Sequence, residues 1–361
     1  MSLEQEVLVS ADVLMRLTES CFSRLGLSSE DASVVADVLV DANLRGISSH
    51  GFQRVPIYAK RVRQGLAGGS DQMSVVASFG ALCQMNAGKG LGPAVAVKAL
   101  DKAAALGMEY GVGLVALGGS THFGPAGYYA RRAASRGLVG MVMSNAPKTM
   151  APYGASERFL GTNPLAIAIP LQRHEAFVLD IATSVVARGK ITQAAQVGEP
   201  IPPGLAIDST GRPTTDAEAA LAGSVLPFSG PKGSGLALAI GMLCGLLGGA
   251  DFDDELASMY EDFDKPQNIG QLFLVIDPWS VQDRERGQGR WDALIDRLGA
   301  LAPVEGHGPV QYPGQPEDAS ARERAHSGVP ISSAELIAFA ECCAECGFED
   351  LAATGRSLVG I

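Results

Sequence analysis

Apolar residues recur at helical spacing from the start of the chain: Val13, Leu14, Leu17, Cys21 and Leu25 make one stripe, and Val34, Val35, Val38, Leu39 and Ala42 a second. Steps of three and four residues place each set on one face of a helix. Two amphipathic helices are therefore predicted, the second opened by Ser28 with Asp31 three residues on as a capping pair. Beyond about residue 70 the texture changes to short apolar runs between helices of small residues. Leu114 to Leu117, Leu138 to Ser144 and Leu165 to Ile169 read as strands and Ala126 to Ser135 as a helix, which is a mixed α/β pattern. Residues 199–216 hold four prolines and two glycines and predict a loop excursion. Gly233 to Ala250 is charge-free, but it has six glycines and lacks cationic or aromatic flanks, so a buried helix is expected rather than a membrane span. Asp251 to Glu255 reads as a solvated turn. The stretch from Ser332 predicts an amphipathic helix with a serine cap that closes on Gly347.

Composition narrows the class. At 361 residues, 47% apolar and 19% charged, the chain predicts two to three folded units. Lys and Arg total 28 against 39 Asp and Glu, and a net charge of -11 repels phosphate backbones and anionic lipid. Neither nucleic acid nor membrane is expected as a partner. The first residues carry Glu4, Glu6 and Asp12 where a secretory signal would carry Lys or Arg and then a long apolar run, so a cytoplasmic protein is expected. Its six cysteines are too sparse and irregular for a disulfide framework or a paired metal site and read as reduced, mostly buried and not catalytic.

The common nucleotide and hydrolase motifs are absent. The nearest string to a dinucleotide fingerprint, Gly88-Lys89-Gly90-Leu91-Gly92-Pro93, has the wrong spacing, and Pro93 fits better in the first turn of a helix. No phosphate-loop lysine is followed by Ser or Thr, since Ile191 follows Lys190 and Gly233 follows Lys232. HExxH and a GxSxG elbow are missing too. Attention falls on the five histidines. His50 and His122 sit in RGISSHGFQR and GGSTHFGPAG, glycine- and serine-rich strings where backbone approaches a ligand closely. His174, His307 and His326 stand in polar loop context and read as surface residues.

These strings resemble the malate/L-lactate dehydrogenase family that is distinct from the Rossmann lactate dehydrogenases. The matching segments are LRGISSHG with Arg54, THFGPAGYYA, SNAPKTMAPYGA, LGTNPLAIAIP, LDIATSVVARGKI, PTTDAEAALAGSVLP, GPKGSGLAL and DKPQNIGQLFLVIDP, collinear over residues 44–278. The resemblance implies a sulfolactate-dehydrogenase-like α/β fold: a mixed or largely antiparallel sheet binding NAD or NADP, helical substrate-binding layers, and a homodimer. Residues 1–70 with about 300–361 would form the helical substrate and dimerisation layer, 71–198 the NAD(P)-binding region, and 199–299 a loop and helical region contributing to both sites. It further implies that Ser49 and His50 face the substrate and that Arg54 holds its carboxylate, with Thr162 nearby. His122, Phe123, Gly124, Pro125 and Ala126 would lie beside the nicotinamide. Asn145, Thr162, Asp180, Ile181, Ala182 and Lys232 would contact the cofactor, as would the loop around Gly314 and Glu317. No metal is implied.

The residue chemistry agrees with those roles. Hydride transfer needs a planar carbon held roughly 3 to 3.5 Å from the nicotinamide, with a 2-oxo acid's carboxylate as the handle. An arginine fork grips that group bidentately, and a histidine supplies the proton for the developing alkoxide. A small 2-oxo acid reduced to a 2-hydroxy acid is thus the expected substrate. The alternative is a cyclic imine such as piperideine-2-carboxylate, whose reductases tend to carry an acidic residue where this chain has Lys190. Pro231 and Gln271 also stand where many relatives carry His or Tyr and His respectively, which leaves the substrate side chain open. A catalytically silent scaffold is the non-enzyme alternative, disfavoured because His50, Arg54, His122 and Lys232 are all present.

Overall fold

A computed structural model describes residues 6–360. After a short strand β1 (Glu6–Val9), the two apolar stripes fold as α1 (Ala11–Arg24) and α2 (Ser29–Leu44), followed by α3 (Val55–Arg63). Ser28 caps α2 as expected, its Oγ accepting from the Asp31 amide at 3.1 Å. The Asp31 carboxylate turns elsewhere, accepting from the Ser70 amide at 2.8 Å and its hydroxyl at 2.7 Å, so it ties α2 to the following loop.

The sheet region runs β2 (Ser74–Phe79), β3 (Leu82–Asn86), α4 (Gly92–Tyr110), β4 (Val112–Ser120), α5 (Ala126–Ala134), β5 (Val139–Ser144), β6 (Leu165–Ile169) and β7 (Phe177–Ile181). Then come α6 (Arg188–Gln196), β8 (Ala206–Ile207), β9 (Pro213–Thr214), α7 (Ala217–Ala222), β10 (Ser224–Val225), α8 (Pro231–Gly248) and β11 (Ile269–Ile276). Seven strands form one sheet in the order β2-β3-β4-β11-β5-β6-β7. Only β3 and β4 pair in parallel, so the sheet is mixed and largely antiparallel. Its central strand, β11, comes from the 199–299 region expected to be loop and helix. The run IGQLFLVI is covered on both faces, and a continuous apolar run carries no period that separates strand from helix.

α4 and α5 cover one face of the sheet and α8 the other. Pro93 takes the first turn of α4. α8 corrects an expectation, because it is buried along one side only. Ala237, Ile240, Gly241, Cys244 and Gly248 face inward, while Leu238, Met242, Leu243 and Leu246 are 47%, 54%, 41% and 72% exposed. The glycines explain the division: a Cβ at Gly118 would lie 2.2 Å from the Gly248 carbonyl oxygen, so helix and sheet touch through backbone and the leucines are left outside.

The proline-rich excursion is less irregular than expected, since β10, β8 and β9 make a small three-stranded sheet. The acidic run after α8 corrects a second expectation. Asp253 is 4% exposed, not solvated, and accepts from the Gly161 amide at 3.0 Å and from Asn163 Nδ2 at 2.6 Å. The chain closes with α9 (Arg284–Gly299), α10 (Gln315–Ser327), β12 (Val329–Ser332), α11 (Ser333–Glu345) and α12 (Glu349–Leu358). α11 opens with a full capping box between Ser332 and Glu335 and stops before Gly347, at φ +76°. β12 pairs with β1 and Phe339 of α11 meets Phe52, so the two ends of the chain share one helical core. The six cysteines are free thiols, four of them buried.

Candidate active site

Two consecutive 3-10 turns, Ser48–His50 and Phe52–Arg54, carry the residues expected on the substrate side. They join at Gly51, where a Cβ would lie 2.0 Å from Asn43 Oδ1 on α2, and that same oxygen accepts from the Phe52 amide at 2.6 Å. The resulting bend folds Arg54 back, and its Nε donates to the Ser49 carbonyl at 2.7 Å. The two terminal nitrogens of the fork stay available for a carboxylate. Ser49 Oγ lies 2.9 Å from His50 Nδ1, and His50 Nε2 has no hydrogen-bond partner among the described residues.

His122 follows β4 and meets this group from the sheet side. Its ring stacks on that of His50 with centroids 5.4 Å apart and planes at 28°. Gly92, in the first turn of α4, presses on the same turn, and a Cβ there would fall 2.3 Å from the His122 carbonyl oxygen. The His122 amide donates to Gln267 Oε1 at 3.2 Å. The Gly124 amide points at His122 Nδ1 from 3.4 Å, and Tyr58 Oη stands 2.5 Å from the same nitrogen. A backbone amide only donates, so Nδ1 is the acceptor and the ring proton sits on Nε2. Beneath the turn, fully buried Gln271 donates from Nε2 to the Thr121 carbonyl at 3.1 Å, while its Oε1 has no partner.

Tyr58 and Gln267 were not singled out in the sequence. Tyr58 lies four residues after Arg54, so the α3 turn brings it to the same side, but its surroundings read as ordinary amphipathic helix. The electrostatics are cationic. Burial and then the Arg54 charge push His50 down to about 4, and the same two causes, with His50 itself, hold His122 well below the usual histidine range. Burial also lowers Arg54 and raises Tyr58. Both imidazoles are therefore neutral in the resting protein.

The residues expected around the cofactor converge on the end of β7. Asp180 Oδ2 accepts from the Gly127 amide at 2.8 Å and so caps α5 directly after the His122-to-Ala126 turn. The residue keeps an exposed edge, yet surrounding chain crowds its carboxyl and pushes it up to about 6, with the Gly127 amide and Arg131 acting against this and Glu317 adding repulsion. Gly314 opens α10 against β7, where the Val178 amide donates to the Pro313 carbonyl at 2.9 Å. Ile181 and Ala182 lead from there to Thr183, whose amide donates to the Thr162 carbonyl and whose carbonyl accepts from the Phe228 amide, both at 3.0 Å. Lys232 is exposed in the first turn of α8 just beyond. Two residues sit otherwise than their expected roles require. Asn145 is 1% exposed and spends its amide on the Asp251 carbonyl and the Gly270 amide, so it joins strand ends instead of facing a ligand. The Phe123 ring stacks on Tyr129 at 4.8 Å in the core, and only its backbone lines the turn. The remaining donor set suits a dinucleotide: Asp180 keeps a free acceptor oxygen for a ribose hydroxyl, and Lys232 at a helix N-terminus suits a diphosphate.

The fold matches what known proteins show. The model of the malate/L-lactate dehydrogenase family matches residues 9–338. The chain belongs to that family. It is 36% identical to the L-sulfolactate dehydrogenase of Methanocaldococcus jannaschii, covering 92% of this chain and 95% of that one. The solved structure of the Methanocaldococcus jannaschii enzyme superposes with a TM-score of 0.88, over 95% of this chain and 99% of the other. A (2R)-3-sulfolactate dehydrogenase (NADP(+)) from Chromohalobacter salexigens is 38% identical over 86% of this chain and 91% of its own length. A ureidoglycolate dehydrogenase (NAD(+)) from Escherichia coli O157:H7 is 35% identical over 90% and 92%. As a member of the malate/L-lactate dehydrogenase family the chain is an enzyme, a dehydrogenase, and its mixed sheet accounts for the missing glycine fingerprint.

Proposed function

We propose that this dehydrogenase reversibly reduces a small 2-oxo acid to the 2-hydroxy acid, with NAD or NADP as the hydride carrier. The observation that carries the reading is the stacked His50–His122 pair, 5.4 Å between centroids, beside an arginine whose fork is free. When bound, the cofactor supplies or accepts the hydride at the substrate's second carbon. Arg54 holds the carboxylate, Ser49 orients His50, and His50 gives the proton to the developing alkoxide or takes it back from the alcohol. His122, fixed by Tyr58 and Gly124, orders the nicotinamide side and shares the proton relay. Asp180 and Lys232 hold the ribose and diphosphate.

A finer reading concerns a second acidic group on the substrate. α6 starts against the substrate turn, where a Cβ on Gly189 would lie 3.3 Å from Ser49 Cβ. Its neighbour Arg188 donates from Nη2 to the Leu221 carbonyl at 3.0 Å, and burial, then the Arg158 charge, lower it while Glu261 acts against them. A cation next to the Gly189 contact favours a 2-oxo acid with a second anion, of the malate or sulfolactate kind. In a panel followed by nicotinamide absorbance, oxaloacetate and sulfopyruvate are expected to exceed pyruvate at least tenfold in kcat/KM, the value of roughly one good charge contact. If every oxo acid were inert with a folded, cofactor-binding protein while piperideine-2-carboxylate was reduced, the reading would be wrong.

The assembly belongs to the same proposal. The exposed leucine face of α8, and Val75, Val76 and Phe79 of edge strand β2 at 54%, 58% and 87% exposure, leave large apolar side chains open to water. A homodimer covers such surface, and sedimentation equilibrium is expected to give twice the chain mass; a monomer throughout would refute it.

A further inference from the structure

The chain has two tryptophans, and they stand together at the far end of the sheet from the histidine pair. Trp279 lies in a 3-10 turn after β11 and Trp291 in α9, with ring centroids 5.5 Å apart and planes at 54°. With Leu294, Arg290 and Arg297 they line a cavity of about 330 Å³. Trp279 is held in place: its Nε1 donates to the Gly137 carbonyl at 2.7 Å, and Arg284 covers its ring at 5.3 Å. Gly287 on α9 leaves that ring room, since a Cβ there would sit 2.9 Å from Cζ3.

α9 sorts its charges to two sides. Asp292 is buried and accepts from the Gln172 and Arg173 amides at 3.2 and 3.3 Å, and Asp296 pairs with Arg173 at 2.6 Å and His174 at 2.8 Å. Both carboxylates thus serve the β6–β7 turn. Arg290 and Arg297 border the cavity and form no ion pair among the described residues. In a chain with a net charge of -11, two unneutralised guanidiniums against an aromatic wall are a local inversion of the field. A flat ring meets the tryptophans, and an acidic group on it meets the arginine forks. The cavity is at the lower limit of small-molecule sites, with room for one ring and one acid but not for a dinucleotide.

We propose that this cavity is a second binding site, for a small aromatic or heteroaromatic acid. It is separate from the reaction site. β11 begins opposite Ser120, two residues before His122, and its eight residues put roughly 25 Å of strand between that turn and Trp279.

Because both tryptophans are at the cavity, their fluorescence reads it directly. The full-length protein without cofactor is titrated with benzoate and with nicotinate, against cyclohexanecarboxylate, which lacks the π face, and benzamide, which lacks the charge. A saturable change is expected for the two aromatic acids, at least tenfold weaker for both controls and for the R290A/R297A protein, and unchanged in Arg54→Ala, which reports on the reaction site alone. R290Q and R297Q singly, each expected to weaken binding at least threefold, serve if the double variant does not melt like the parent. The proposal is overturned by no saturable change at millimolar acid, by equal response to cyclohexanecarboxylate, by indifference to the arginine variants, or by loss of the signal in Arg54→Ala.

Discussion

Replacing His50 with alanine is expected to lower kcat by about a hundredfold or more, with cofactor affinity nearly unchanged, the usual scale for a lost general acid. The geometry separates the two histidines. His50 sits beside Ser49 and Arg54, and among the described residues its ring has one hydrogen-bond partner, Ser49 Oγ at 2.9 Å on Nδ1, which leaves Nε2 for the substrate. His122 is fixed from three sides by Tyr58, the Gly124 amide and Gln267, and its turn runs straight into the helix that Asp180 caps. His122→Ala is therefore expected to weaken cofactor binding as well as turnover, read by nicotinamide fluorescence titration beside steady-state kinetics. Intact cofactor binding with abolished turnover in His122→Ala, together with only a raised KM in His50→Ala, would exchange the two roles.

The second large effect is expected at Arg54. Truncating one partner of a buried, hydrogen-bonded charge pair costs about 2 to 5 kcal/mol, so Arg54→Ala should lower kcat/KM by roughly 30-fold to several thousandfold. Arg54 also sets the pH behaviour, since its charge is the second cause, after burial, of the His50 value of about 4. A bound substrate carboxylate neutralises that charge, so His50 titrates higher in the complex than in the free enzyme. In the oxidative direction His50 must be neutral. The acid limb of kcat/KM is thus expected near pH 4 and that of kcat at higher pH, and coincident limbs would refute the coupling. Linkage gives a further sign. A histidine whose folded value lies below the ordinary 6.5 takes up its proton more readily when unfolded, so stability rises with pH from about 4 to 6.5 and then levels.

Local signals in the sequence were legible wherever the local chain decides structure. Ser28 and Ser332 cap helices where their spacing says so, and the Leu165–Ile169 strand has the limits its apolar run suggests. The reading failed where a distant segment decides. β11 is a uniformly apolar run whose place is set by β4 and β5, and Asp253 is drawn inward by Gly161 and Asn163, about 90 residues away. At the candidate site, His50, Arg54 and His122, expected there from the sequence, come together in the fold. The bend that brings Arg54 back depends on Asn43 of α2, and the contact that fixes His122 comes from Tyr58, 64 positions earlier. Asn145 has the residue type of a ligand contact, but its burial follows from the strand ends it joins.

The late position of β11 bears on how the chain is made. β4 and β5 are joined by a single short helix, and both lie antiparallel to β11, so they run parallel to each other with one strand's width between them. At ordinary synthesis rates of about 5 to 20 residues per second, roughly 7 to 26 s separate the emergence of β5 from that of β11. Throughout that interval the nascent chain holds two apolar edges that suit direct parallel pairing, the usual outcome for strands joined by a crossover helix. That pairing would shut out the central strand. Productive folding of this dehydrogenase on the ribosome therefore depends on keeping a gap open until its last filler arrives.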